Sequence, residues 1–203
     1  MKMNVKICGI TSREDALRAA SAGATHLGFI IDVPTSKRNK DRVDVGDIVK
    51  SVKNEYPEII CVGVFVDKSF DDVVNVVKEC ELDAVQLHGD ESVEFCWKLR
   101  NFVKVYKAII VTSENDLDLV KKYKNVVDRI LLDAGKGSGE QIDLDLLKGT
   151  DVDILAGGIN PRNVKEITNT TEPQMIDISS GVEFAPGKKG VNLVAELFSK
   201  LNS

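Results

Sequence analysis

The sequence of 203 residues has few aromatic residues and no long apolar run. Aromatic side chains make up 5% of the chain, so a core must be built mainly from Val, Ile, Leu and Ala, the residues that fill parallel sheets covered on both faces. No apolar stretch approaches the roughly 18 residues that cross a bilayer, and the opening residues lack the apolar stretch of a secretory signal. We therefore expect an α/β protein of the cytoplasm, with no membrane partner.

Excess positive charge and paired cysteines are absent too. A net charge of -5 disfavours a nucleic-acid partner, because such proteins need a broad positive field. No CxxC pair and no matching histidine spacing occurs, so we expect neither a metal site nor a disulfide framework. The cysteines are Cys8, Cys61, Cys80 and Cys96.

Eight short apolar runs rich in β-branched residues each predict a β-strand. They are Val5–Ile10, His26–Ile31, Ile59–Val66, Ala84–His88, Val105–Ile110, Arg129–Asp133, Asp153–Ala156 and Met175–Ser179. Stretches with helical periodicity lie between them and after the last. Their predicted starts are Ser12, Asp44, Ser69, Ser92, Ser113, Asp143, Asn160 and Gly190. A repeat of about 25 residues matches one βα unit, so we predict a single-domain (βα)8 TIM barrel over residues 1–203.

An open doubly wound sheet is the alternative architecture. It usually has fewer strands, and its dinucleotide fingerprint would lie in the first βα turn. That turn reads Cys8-Gly9-Ile10-Thr11-Ser12, with no GxGxxG. The longest gap between strands lies between the second and the third, and its polar and basic part at residues 32–42 predicts a long mobile loop.

Polar residues interrupt the apolar strands at positions of one parity. In a closed barrel, alternate residues point inward and catalytic groups lie at the carboxyl ends of the strands. Val5 and Ile7 must face the helices, so Lys6 and Cys8 point inward. Each polar residue has an ordinary structural explanation by itself, but their joint placement predicts a catalytic site. The same parity directs inward Gln86, His88, Asp133, Asp177 and Ser179.

Several other reactive or aromatic residues are assigned to packing. The three remaining cysteines fall within a buried strand or on helical faces, and Trp97 fits a contact between helix and barrel. His26 starts its strand, at the end of the barrel that contributes stability rather than catalysis.

Glycine and serine turns follow the last two strands. The first contains Gly157 and Gly158, and the second contains Ser179, Ser180 and Gly181. Free backbone N–H groups at these two positions commonly hold a phosphate in such barrels, whereas the alternative is that glycine only makes a tight turn. The segment 135–139 matches neither a Walker loop nor a Rossmann turn and is expected to be a flexible loop.

The basic run at residues 37–42 is mostly expected to be a solvated loop. Arg38 has a second interpretation. It follows the second strand and is expected to lie over the predicted barrel opening. A guanidinium there is suited to a bidentate pair with a substrate carboxylate, which lysine cannot imitate.

Together these segments resemble the phosphoribosylanthranilate isomerase family of tryptophan biosynthesis. The resemblance spans the chain in the family's order and rests on residues 6–11, 63–66, 85–89, 131–133, 156–158 and 177–183. It implies an aldose-ketose isomerase that uses no cofactor. The reaction is an Amadori rearrangement of N-(5-phosphoribosyl)anthranilate, a small phosphorylated substrate, to 1-(2-carboxyphenylamino)-1-deoxyribulose 5-phosphate.

The resemblance also implies roles for individual residues. Asp133 would be the general acid that protonates the furanose oxygen, and Cys8 the general base that removes the C2 proton. Arg38 would meet the anthranilate carboxylate, Asp177 would lie near the sugar, and the turns after the last two strands would hold the phosphate. Cys8 needs some thiolate character for this role, and we infer from parity that Lys6 supplies a nearby positive charge.

The chain departs from the common family pattern at three places. Asn39 follows Arg38 where an aromatic or basic residue is more usual, residues 140–143 replace a stretch that commonly contains an aromatic residue, and Gly190 stands where Asp often follows the lysines. These departures concern loop closure and phosphate contacts rather than the acid and base.

The same barrel serves other functions in other proteins, and the residues of this chain disfavour them. A metal-dependent pentose phosphate epimerase needs a cluster of His and Asp ligands, and only two histidines exist. Indole-glycerol phosphate synthase would offer a longer N-terminal segment and an inward Lys and Glu pair, and a binding barrel without activity would not need both Cys8 and Asp133. The sequence leaves open a monomer or a homodimer, and activity on the related histidine-pathway substrate.

Overall fold

The computed structural model describes residues 3–135, 143–147 and 149–202, and within them eight parallel strands close into a barrel. The strands are β1 (Asn4–Cys8), β2 (His26–Ile31), β3 (Ile60–Phe65), β4 (Ala84–Leu87), β5 (Lys104–Ile110), β6 (Arg129–Asp133), β7 (Ile154–Ala156) and β8 (Met175–Ile178). β1 pairs with both β2 and β8, which closes the sheet. The predicted (βα)8 TIM barrel is confirmed, and each predicted strand matches to within two residues at either end.

Seven α-helices surround the described part of the barrel. They are α1 (Arg13–Ala22), α2 (Arg42–Glu55), α3 (Phe70–Glu79), α4 (Val93–Leu99), α5 (Leu117–Tyr123), α6 (Val164–Thr171) and α7 (Val191–Leu201). Ser12, Ser69 and Ser92 cap their helices as predicted, because each hydroxyl accepts a hydrogen bond from a backbone N–H in the first turn. No helix among the described residues is long and apolar enough to cross a membrane.

Four predicted helix starts need correction. After Ser113 a 3-10 turn over Glu114–Asp116 comes first, and α5 begins at Leu117. The segment after Asp143 forms one 3-10 turn over Leu144–Leu147 instead of an α-helix. α2 begins at Arg42, before the predicted Asp44, because Asp41 provides the cap. α6 begins at Val164 instead of Asn160, because the side chain of Asn160 accepts a hydrogen bond from the backbone N–H of Arg162 in the preceding turn.

The long segment after β2 and the residues after β8 contain short strands that the sequence did not predict. Asn39–Lys40 pairs with the end of β2, and Glu183–Ala185 pairs with Lys188–Lys189 in an antiparallel hairpin. Of the glycine-rich segment 135–139, only Gly135 lies among the described residues.

Alternation along the strands separates two layers of core. Val5 and Ile7 pack in the layer beneath the helices, and Val62, Leu131 and Met175 are among the residues that fill the barrel itself. The predicted parity is thereby confirmed. The prediction for Trp97 is wrong: its side chain is 60% exposed, because α4 turns Cys96 and Leu99 toward the barrel and Trp97 away from it.

Candidate active site

The end of β1 holds Cys8 beside a buried ion pair. Lys6 is completely buried, and its Nζ donates a hydrogen bond of 3.0 Å to Asp177 Oδ2 on β8. A Cβ atom placed on Gly28 of β2 would lie 2.7 Å from Cys8 Sγ and 2.9 Å from Lys6 Nζ. The thiol and the ammonium group therefore lie together in the space that this glycine leaves free. Sequence reasoning missed Gly28, although a glycine within a strand is a known signal of close approach.

The charges around Cys8 act in opposite directions. Burial raises the pKa of the thiol, Lys6 lowers it, and Asp177 raises it, with the result above the ordinary value. Burial lowers the pKa of Lys6, but Asp177 and Cys8 together raise it by more. The pKa of Lys6 therefore lies above its ordinary value, and Lys6 remains an ammonium. The predicted closeness of Lys6 and Cys8 is confirmed. The surroundings do not favour the thiolate that the proposed role needs, because burial and the Asp177 carboxylate outweigh the positive charges of Lys6 and Lys189.

Asp133 ends β6 and faces a pair of side chains from the end of β4. Its carboxyl group is nearly buried, and Oδ1 accepts a long hydrogen bond of 3.3 Å from the backbone N–H of Gly135. Asp133 Oδ2 lies 3.4 Å from His88 Nε2, without hydrogen-bond geometry. Gln86 Nε2 lies 3.1 Å from His88 Nδ1. Donation from the amide to Nδ1 leaves the proton of a neutral imidazole on Nε2, facing Asp133.

Three buried polar atoms have no hydrogen-bond partner among the described residues: Gln86 Oε1, His88 Nε2 and Asp177 Oδ1. All three belong to inward-pointing residues at or near the carboxyl ends of the strands. Buried polar atoms are rarely left unpaired in native proteins, since each one costs free energy. These atoms mark the place where a polar ligand would complete the site.

Arg38 lies at the same opening but is already paired. Its Nε and Nη2 donate hydrogen bonds of 2.8 Å to Oε1 and Oε2 of Glu183. Its stem crosses Gly9, where a Cβ would lie 2.5 Å from Arg38 Cδ. The structure thus places Arg38 over the barrel as predicted, but one edge of its guanidinium is occupied by Glu183, which sequence reasoning did not assign.

The turns after β7 and β8 touch each other through their backbones. Gly157 and Gly158 have φ values of 100° and 62°, in the left-handed region that favours glycine. A Cβ on Gly181 would lie 1.9 Å from the carbonyl oxygen of Ile159, so only glycine fits there. Ser180–Val182 forms a 3-10 turn directly after Ser179. The residues expected to hold phosphate are therefore contiguous in space, at the end of the barrel that carries Cys8 and Asp133.

The other cysteines are buried free thiols. Burial raises the pKa of Cys61 to about 12 and the pKa values of Cys80 and Cys96 to about 11. They pack in the layer between strands and helices, as predicted.

Comparisons with known proteins agree on one family. A family model described as N-(5'phosphoribosyl)anthranilate (PRA) isomerase matches residues 5–200. An N-(5'-phosphoribosyl)anthranilate isomerase from Thermotoga neapolitana is 38% identical over 98% of both chains. A structure of monomers generated from the dimeric Thermotoga maritima isomerase has a TM-score of 0.88 and 35% identity, covering 98% of both chains. A phosphoribosyl anthranilate isomerase in complex with reduced 1-(o-carboxyphenylamino)-1-deoxyribulose 5-phosphate has a TM-score of 0.88 and 34% identity, with the same coverage.

Proposed function

Because this chain belongs to the N-(5'-phosphoribosyl)anthranilate isomerase family, we propose how the residues at the barrel opening divide the work of that reaction. The enzyme isomerises N-(5'-phosphoribosyl)anthranilate to 1-(2-carboxyphenylamino)-1-deoxyribulose 5-phosphate, a step of tryptophan biosynthesis. The chemistry needs one proton delivered to the furanose oxygen and one removed from C2. The placement of Cys8 and Asp133 at the carboxyl ends of β1 and β6 is the observation that carries the proposal.

Asp133 acts as the general acid. Its proton goes to the ring oxygen, the C1–O bond breaks, and the open chain forms a Schiff base with the anthranilate nitrogen. The carboxyl group is nearly buried, and from the described residues it accepts one long backbone hydrogen bond, at Oδ1, which leaves Oδ2 to a substrate. His88 Nε2 approaches that oxygen and is suited to orient it through a hydrogen bond once substrate is bound.

Cys8 acts as the general base. Its thiolate removes the C2 proton from the Schiff base, and the resulting enolamine tautomerises to the ketone. The raised pKa means that the thiolate is a minor species near neutral pH and grows as pH rises. The Lys6 ammonium, held beside the thiol by Asp177, stabilises that thiolate.

The remaining contacts orient the substrate. Arg38 binds the anthranilate carboxylate through the guanidinium edge that Glu183 leaves free, and Asp177 Oδ1 and Gln86 Oε1 accept hydrogen bonds from sugar hydroxyls. Phosphate binds at the backbone turns after β7 and β8. These turns contain Gly157, Gly158, Ser179, Ser180 and Gly181. Each proton transfer has a protein group assigned to it, so the proposal uses no cofactor.

We also propose that the enzyme works in the cytoplasm, as a monomer or homodimer. Membership in a biosynthetic family supports the location. The dimeric T. maritima relative supports the homodimer. Size-exclusion chromatography with light scattering distinguishes the two assemblies.

Turnover of freshly generated phosphoribosylanthranilate tests the roles assigned to these residues. We expect the purified protein to remove the anthranilate fluorescence rapidly, and Cys8→Ala and Asp133→Asn each to slow this at least about 100-fold, the usual contribution of a general acid or base. Cys80→Ala and Asp118→Asn are matched controls, since they remove a thiol and a carboxylate outside the barrel interior. Near-normal turnover by either site variant would refute that residue's role, and an inactive, folded wild type would overturn the substrate.

A further inference from the structure

Arg38 belongs to a cluster of three charged side chains, Arg38, Glu183 and Lys189, which we call the Arg38 cluster. Glu183 accepts two hydrogen bonds of 2.8 Å from Arg38 and a third of 2.8 Å from Lys189 Nζ. The side chains of Glu183 and Lys189 are 5% and 2% exposed. With two positive groups and one negative group, the cluster carries a net charge of about +1 and is complementary to one carboxylate.

The cluster is attached to the strands that carry the catalytic groups. Lys189 Nζ also donates to the backbone carbonyl of Cys8 at the end of β1 and to that of Ser179 after β8. The backbone N–H of Lys189 donates to Asp15 on α1. Three separate parts of the chain therefore fix Lys189. Lys189 in turn holds the Glu183 carboxylate through its hydrogen bond.

The pairing with Glu183 decides which part of Arg38 faces the substrate. A guanidinium has five N–H donors, and Glu183 uses one on Nε and one on Nη2. The remaining three donors lie on Nη1 and on the far side of Nη2. That edge offers two parallel N–H groups, which fit a second carboxylate end-on.

We propose that Glu183 is a positioning residue that orients Arg38 for the substrate carboxylate, and that Lys189 in turn holds Glu183. The inference rests on the proposed role of Arg38. Without the Glu183 carboxylate the long arginine side chain gains rotamers, and a ligand must then immobilise it on binding. Burial opposes the charge of Glu183, but Arg38 and Lys189 outweigh it and lower the pKa of the carboxyl group, so it stays ionised at neutral pH.

Two ligands separate positioning of Arg38 from general support of the fold. One is reduced 1-(o-carboxyphenylamino)-1-deoxyribulose 5-phosphate, and the other is its phenylamino counterpart without the carboxyl group. Calorimetry on wild type, Arg38→Met and Glu183→Gln gives a dissociation constant for each pair. We expect Glu183→Gln to weaken binding of the carboxylated ligand about 10-fold, the cost of immobilising a flexible side chain, and to change the other ligand less than about twofold.

Equal weakening of both ligands by Glu183→Gln would overturn the inference, since it would indicate a structural role alone. A carboxyl-specific loss in Arg38→Met without one in Glu183→Gln would overturn it too, while leaving Arg38 in its proposed role. If Arg38→Met affects both ligands alike, the proposed function of Arg38 fails first.

Further variants keep the inference testable if Glu183→Gln folds poorly. Glu183→Asp retains the charge on a shorter stem and is expected to recover part of the carboxyl-specific affinity. Lys189→Met should show the same carboxyl-specific loss, whereas Lys188→Met, at the exposed neighbouring position, should not. Identical behaviour of the two lysine variants would contradict the role of Lys189.

Discussion

Cys8, the proposed general base, lies in a site that disfavours its charged form. Burial raises the pKa of the thiol, and the Lys6 ammonium lowers it more than any other group does. The Lys6 ammonium is shared with Asp177, so its full charge is not available to the thiol. The pKa of Cys8 therefore depends on the balance within this triad.

Replacing Lys6 should shift that balance further from the thiolate. We expect Lys6→Met to raise the pKa of Cys8, because a stabilising positive charge is lost while Asp177 stays negative. The rising limb of the rate against pH should move to higher pH, and turnover at neutral pH should fall. The pH dependence of alkylation measures the shift when the label on the Cys8 peptide is followed by mass spectrometry, because all four cysteines are buried free thiols.

Two further variants isolate the cause of that shift. Lys6→Met leaves Asp177 as an unpaired buried carboxylate, so the double variant Lys6→Met/Asp177→Asn restores charge balance in the barrel. It should shift the Cys8 pKa upward less than Lys6→Met does. Lys50→Met, on the exposed face of α2, should leave the profile unchanged. An unchanged thiol pKa in Lys6→Met would remove Lys6 from the mechanism.

At the scale of elements, the turns after β7 and β8 approach each other so closely at Gly181 that a substitution there must disturb both. A methyl group on Gly181 would overlap the carbonyl oxygen of Ile159, and only backbone movement could relieve it. We expect Gly181→Ala to lower the free energy of unfolding by about 1–3 kcal/mol and to weaken binding of phosphorylated ligands at least tenfold. Urea denaturation and calorimetry with the reduced product analogue measure the two effects.

Gly46→Ala is the matched control, because it adds the same methyl group within α2. The nearest atoms to a Cβ there are 3.7 Å and 3.8 Å away, which is ordinary van der Waals contact. Alanine is the better helix former, so this variant should gain about 0.5–1 kcal/mol of stability. Equal stability changes in the two variants would contradict the steric account of Gly181.

At the scale of the whole molecule, the closed barrel encloses His26 at the end opposite the proposed catalytic groups. Its Nδ1 lies 2.8 Å from the Thr25 hydroxyl, and its ring lies 6.4 Å from the ring of Tyr106. Burial, followed by the positive charges of Lys6 and Arg129, lowers its pKa to about 4. The folded protein therefore keeps this histidine neutral where an unfolded chain would protonate it.

Stability should consequently fall as pH falls through the window between the two pKa values of His26. The unfolded chain takes up a proton below about pH 6.5, while the folded state does so only near pH 4, so unfolding is favoured in between. The full effect is about 3 kcal/mol at pH 4 and vanishes above pH 7. Urea denaturation between pH 4 and 8 measures it, and His26→Gln should lose this part of the slope. Parallel pH profiles of the two proteins would contradict the assignment.

The periodicity of the sequence determined most of the fold, because a strand residue faces the helices or the barrel interior according to its parity alone. Period-two alternation in the first strand was enough to send Lys6 and Cys8 inward. Serine at a helix start predicted three caps, since the capping hydrogen bond is local. Asp133, Asp177, Gln86 and His88 were found by the same local rule.

Tertiary structure alone decided the contacts between residues far apart in the chain. Glu183 and Lys189 give no local sign that they hold Arg38, because 145 residues separate Arg38 from its partner. The importance of Gly28 follows from its register opposite Cys8, and that of Gly181 from the approach of another turn. Tertiary structure also decided the pKa of the Cys8 thiol, because desolvation depends on everything that packs around a group. Local pattern thus determined which residues point into the barrel, and barrel closure determined their neighbours and charges.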